Sequence, residues 1–183
     1  MLSRDEALAL LQQYIQEESL LKHSLATEGV LRELARFFQE DEELWGITGL
    51  LHDLDYESTK DNPQKHGLKS AEILKDKLPA ESIQAIKAHN GEMTGVEPTS
   101  KLDFALRCGE TVTGLIMAAA YVRPNKLEGM KPKSLRKKMK DKSFAASVNR
   151  ETIGECSKLN LELSEFLSLA IAGMQKIARD LGF

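Results

Sequence analysis

With 183 residues, 29% of them charged, and a formal net charge of −3, the chain is long enough for one domain with a sizeable core and carries no general attraction for nucleic acid. Two cysteines, Cys108 and Cys156, fit a reduced chain better than a disulfide scaffold. Arg4, Asp5 and Glu6 stand where a secretory signal would need an apolar run, and Thr113–Val122, the longest weakly polar stretch, is too short to span a bilayer, so a cytoplasmic protein with no membrane partner is expected.

Ser3-Arg4-Asp5-Glu6 has the spacing of a capping box, and the apolar residues from Ala7 to Ile15 recur at helical intervals, which predicts a first helix to about Glu17. A second spans Ser19–Phe38, with Leu21, Leu25, Leu31, Leu34 and Phe38 broadly inward and His23 near its start. After the acidic connection Gln39–Glu43, a third runs from about Glu42 to Leu51 and delivers His52 and Asp53 near its C-terminal end. Asp61-Asn62-Pro63 makes Tyr56–Lys65 a loop, because the residue before a proline is pushed out of the helical region. Helices are then predicted from about His66 to Lys77, from Pro79 to near His89 with Asn90-Gly91 as the stop, and from Ser100 to Tyr121. Residues 123–142 hold nine Lys or Arg against Glu128 and Asp141, a net +7. Short helices over Ser134–Lys140 and Arg150–Lys158 and a closing one over Ser164–Leu181 complete the chain. No run alternates apolar and polar residues, and there is no internal repeat, so the class is all-α.

The chain has four histidines, His23, His52, His66 and His89, all in its first half and too far apart for a zinc finger or a zincin helix. If they meet, several helices bring them together. Each alone has an ordinary explanation; His89, at a helix end, would favour the negative end of the helix dipole. Imidazole with the Asp53 carboxylate nevertheless suits Fe, Mn, Co, Ni or Zn, and acids at the end of the third helix oppose its dipole, which a cation would offset.

Gly49-Leu50-Leu51-His52-Asp53-Leu54-Asp55, then His66-Gly67-Leu68-Lys69-Ser70-Ala71-Glu72, then Ala88-His89-Asn90, in that order and spacing, resembles the HD-domain superfamily of metal-dependent phosphohydrolases, in particular its small bacterial HDIG-type members. The resemblance covers residues 19–122 closely and the tail to about residue 180 more loosely. It implies an HD-domain helical bundle: a single domain over residues 1–183, with its core at about 19–122, a basic segment at 123–142 and C-terminal helices at 146–181. The family's last acidic ligand lies in a segment like Ala-Ala-Asp-x-x-Thr-Gly-Leu-Ile. That segment reads here Cys108-Gly109-Glu110-Thr111-Val112-Thr113-Gly114-Leu115-Ile116, so Glu110 stands where Asp is usual, and Asp103 is the fallback.

On the family pattern His23, His52, Asp53 and Glu110 hold one divalent transition metal, and His66 and His89 hold a second that Asp53 bridges, with His52 and Asp53 central to catalysis. A neutral His66 ring is expected at the positive end of its helix. The activity implied is hydrolysis of a small phosphorylated molecule, a nucleotide or another phosphomonoester or diester, by metal-activated water. Two alternatives share the pattern: an HD-fold di-iron oxygenase and a non-catalytic nucleotide-sensing module. Lys133, Lys137, Lys138 and Lys140 are either a solvated face or a collar that binds the phosphorylated substrate; no aromatic residues interleave them, which disfavours a nucleic acid polymer. A homo-oligomer is compatible with the sequence.

Overall fold

Two helices of 21 residues, α2 (Glu18–Phe38) and α8 (Lys101–Tyr121), cross at the centre of the computed structural model, which describes residues 2–183. Around them stand α1 (Arg4–Tyr14), α3 (Glu42–Leu51), α4 (Tyr56–Thr59), α5 (Leu68–Leu74), α6 (Ala80–Ala88), α7 (Gly91–Thr94), α9 (Pro132–Lys140), α10 (Arg150–Gly154) and α11 (Leu163–Lys176), with 3₁₀ turns at Pro63–Lys65 and Glu155–Leu159. The described residues contain no strand, and the protein is all-helical. None of these helices is long and apolar enough to cross a membrane.

The helix α2 packs against α3, α8 and α11, and α6 lies along α8. Leu31, Leu34, Leu50, Leu51, Leu106, Leu115 and Phe166 from these helices share one buried cluster. Burial at about 25 cal/mol per Å² of apolar surface makes such a cluster the main favourable term in folding. It also holds rigid the helix ends and turns from which the histidines project.

Helix starts follow local chemistry. The capping box predicted at Ser3 and Glu6 is formed, and a second at Ser100 and Asp103 opens α8. Some helix limits are set by tertiary contacts instead. The first helix stops at Tyr14, not Glu17, because the Glu57 carboxylate of α4 accepts from the backbone N–H of both Gln16 and Glu17, 2.8 Å each. Within the loop expected at Tyr56–Lys65 the chain makes α4 and a 3₁₀ turn that starts at Pro63. The helix expected from His66 begins instead at Leu68, since Gly67 has φ 87° and leaves His66 extended. The last helix ends at Lys176, short of Leu181; the turns beyond it bury Leu181 and set Phe183 against the Tyr121 ring.

Candidate metal centre

The helix α3 is buried along most of its length, from Leu44 to Leu51, and its chain leaves the helix at His52 inside the protein. A Cβ on Gly49 would lie 3.1 Å from the Thr27 carbonyl, so the glycine lets α3 approach α2, and the ring centroids of His52 and His23 come within 5.2 Å. The Thr48 hydroxyl joins the Leu44 carbonyl and the Ser82 hydroxyl, both at 2.7 Å, which ties α3 to α6 and thus to His89 at the end of α6. His66 reaches the same place from the turn before α5, and Glu110 from the middle of α8.

Asp53 is the hub. Its Oδ1 lies 3.2 Å from His52 Nε2 and 3.3 Å from both His66 Nε2 and His89 Nε2, while Oδ2 lies 3.5 Å from His23 Nε2. Two groups of potential ligand atoms result, His23 with His52 and Asp53, and Asp53 with His66 and His89, the atoms of each within 4.8 Å of one another. Glu110 stands at the rim, its Oε2 3.8 Å from His23 Nε2.

The outward nitrogens decide what the inward ones can do. His52 Nδ1 donates to the Gly49 carbonyl at 2.7 Å and His89 Nδ1 to the Ile86 carbonyl at 2.5 Å. His66 Nδ1 donates to Asp55 Oδ1 at 2.8 Å. His23 Nδ1 is 3.0 Å from the Thr113 hydroxyl, whose own proton goes to the Glu110 carbonyl, so here too the ring donates. All four rings thereby keep the proton on Nδ1 and turn Nε2 inward, as metal-binding imidazoles do.

The residues fit a cation. His52 Nε2 and Asp53 Oδ1 are fully buried polar atoms with no hydrogen-bond partner, a costly state that a metal between them would relieve. The Nε2 atoms of His66 and His89 are 3.1 Å apart, a separation that two lone pairs tolerate only with a proton or a cation between them.

The electrostatics agree with this geometry. Burial, reinforced by the neighbouring rings of His23 and His89 against the pull of Asp53, pushes His52 down to about 3. Burial opposes the charge on Asp53, but the surrounding histidines outweigh it and hold the carboxyl well below its usual range. For His66 burial also opposes the charge, yet Asp53 and Asp55 raise the ring to about 10. Without a cation at Nε2 the two carboxylates outweigh the positive helix end that argues for a neutral His66, because the ring lies outside α5. Burial raises Glu110.

Asp103 is no part of this cluster. Buried at the start of α8, its carboxylate accepts from the N–H groups of Thr99 and Ser100 and from the Ser100 hydroxyl. The four lysines are separate too. Lys133, Lys137 and Lys140 line another cavity with Arg136, and Lys138 holds its Nζ 4.2 Å from the Phe144 ring centroid.

Sequence reasoning missed the residues that aim the ligands. Asp55 is buried and also accepts from the N–H groups of Gly67 and Ser70, so one carboxylate caps α5 and orients His66. Buried Arg107 donates to the carbonyls of Ala88 and His89 and pairs with Glu92 and Glu155, fastening the end of α6 to the 3₁₀ turn at Glu155. The acid two residues after His-Asp was the available signal for Asp55; nothing local marks Arg107.

A cleft of about 340 Å³ opens onto the cluster, lined by Leu20, Tyr56 and Asn90 besides the ligand-type residues. A second, of about 330 Å³, shares His23, His89 and Glu110 with it and adds Thr111, Ser147, Asn149 and Thr152. A family model described as HD domain matches residues 20–139, well over half of the chain and all six residues of the cluster. No curated protein and no solved structure matches the chain.

Proposed function

The chain belongs to the HD-domain family, and from that premise we propose that it is a phosphohydrolase whose six clustered side chains hold two divalent transition metal ions. The reading takes residues 1–183 as one domain. The observation that carries it is the common orientation of the four imidazoles, each with Nδ1 committed outward and Nε2 directed at Asp53.

His23, His52, Asp53 and Glu110 would hold one ion, and His66 and His89 the other, with Asp53 common to both. Bound metal supplies Lewis acidity, which draws charge from phosphate oxygens and brings the pKa of water toward neutrality. Asp53 is suited to serving both because its carboxyl is held ionised and stands between the two groups, Oδ2 toward His23 and Oδ1 toward His52, His66 and His89. Asp55 and Thr113 keep the rings from rotating, so that little reorganisation is required when charge develops. The paired clefts suit a small substrate: Asn90, Thr111, Ser147 and Asn149 offer hydroxyl and amide groups to its polar atoms, and no lysine lines either cleft.

The test is release of inorganic phosphate or a phosphomonoester from a panel of nucleotides and simple phosphoesters, under anaerobic conditions with Mn²⁺ or Co²⁺. His52→Ala and Asp53→Ala should abolish it. Turnover that requires iron and consumes O₂ would replace the hydrolase with an oxygenase.

A further inference from the structure

The histidine cleft is not the only concavity on the protein. A cavity of about 650 Å³ lies between α9 and the start of α11, lined by Pro132, Lys133, Arg136, Lys137, Lys140, Ser164 and Ser168, and it shares no lining residue with the metal centre. Lys133, Arg136, Lys137 and Lys140 follow the i, i+3, i+4, i+7 spacing that sets side chains on one face of a helix. The opposite face is anchored, with Leu135 fully buried and Met139 packed against the core.

Four like charges held side by side repel one another, and a fold normally answers such a row with carboxylates. Here, among the described residues, no carboxylate lies within ion-pair distance of any of the four, although thirteen pairs of Lys or Arg with a carboxylate form elsewhere. The wall opposite is prepared for an anion as well. Ser164 accepts from Arg136 Nη1 at 3.0 Å, which steadies the guanidinium, and the serine's own proton goes to no protein atom among the described residues.

We infer that this cavity binds a short polyphosphate chain, free or as the arm of a nucleotide, at a site separate from the metal centre. Several adjacent cations match a ligand carrying several charges over a short length better than a lone carboxylate, and Arg136 presents the planar fork that pairs with phosphate oxygens. No aromatic side chain lines the cavity, so a nucleobase would gain nothing by stacking, and the phosphates are what is recognised.

The experiment is a titration of the isotopically labelled full chain, metal as purified, followed by amide chemical shifts. Its arms are inorganic tripolyphosphate, a nucleoside triphosphate and a single-stranded oligonucleotide. Saturable shifts are expected at residues 133–140 and 163–168, with tripolyphosphate and the nucleotide alike within about threefold, and with both salt-sensitive. Arg136→Gln/Lys137→Gln should weaken binding at least tenfold, and Lys133→Gln/Lys140→Gln supplies an independent pair should the first fold poorly. Asp53→Asn and the distant pair Lys75→Gln/Lys77→Gln should leave it within twofold.

Three results would overturn the inference. Shifts confined to the histidine cleft would put the anion there, and equal loss in the distant pair would reduce the effect to net charge. Tighter binding of the oligonucleotide than of tripolyphosphate would mean that a polymer is the ligand. Because Asp53→Asn removes the central residue of the metal cluster, failure of the hydrolase reading leaves this titration unaffected.

Discussion

Asp53 and the four imidazoles show how little freedom each residue at the centre retains. With every Nδ1 donating outward, the only chemistry left to the rings is at Nε2, and those atoms converge on one carboxylate. Asp55 is where this arrangement can be perturbed without touching a ligand. Asp55→Asn replaces a carboxylate that accepts from His66 and from two backbone N–H groups with an amide that can satisfy only part of that set. Metal affinity should fall about 10–100-fold, measured by competition with a chromophoric chelator. Unchanged affinity would show that His66 needs no such anchor. The last acidic position is tested by ranking two variants. Glu110→Gln should lower metal retention, whereas Asp103→Ala should leave it intact and cost about 1 kcal/mol of stability in denaturant unfolding, as loss of a helix cap does. The reverse ranking would move the last ligand one to two turns earlier. The ligand-type residues could be read from the chain because histidines are scarce and stand in a family order. Asp55 and Thr113 could not, since which nitrogen a ring protonates depends on a partner brought 11 or 90 residues along the chain.

Helices, by contrast, were legible wherever an apolar period is long and its start is capped. The α1, α3 and α8 starts and the core-facing residues of α8 follow from local sequence alone. The ends of α2, α3, α8 and α9 were legible too, but the end of α1 and the start of α5 were not, because distant groups set them: Glu57 halts α1, and Asp55 with Gly67 delays α5. Gly67 concentrates this dependence at one position. Its φ of 87° disfavours any other residue, and a Cβ there would lie 2.8 Å from the Ile86 carbonyl and 3.0 Å from His89 Cε1. That carbonyl is the one that accepts from His89 Nδ1. Gly67→Ala should therefore cost about 1 kcal/mol or more in thermal unfolding and also weaken metal binding. Loss of stability with metal affinity untouched would separate the turn from the site.

At the scale of the whole molecule, the site exists only because five separated segments meet: α2, the end of α3, the turn before α5, the end of α6 and the middle of α8. The all-helical class was readable from periodicity, but this meeting was legible only through the resemblance, since spacing alone does not say which helix ends converge. None of the lysines of the basic segment lines either histidine cleft, although Lys140 and Lys142 line a cavity that shares Val148 and Asn149 with the second of them. The central claim is that the convergent Nε2 atoms and Asp53 hold transition metal. Elemental analysis of protein purified without chelator tests it most directly, with His52→Ala and Asp53→Ala alongside. The account predicts close to two ions per chain in the wild type and loss of most of that metal in both variants. Wild-type protein that carries no transition metal and cannot be reloaded, or variants that keep the full complement, would contradict it.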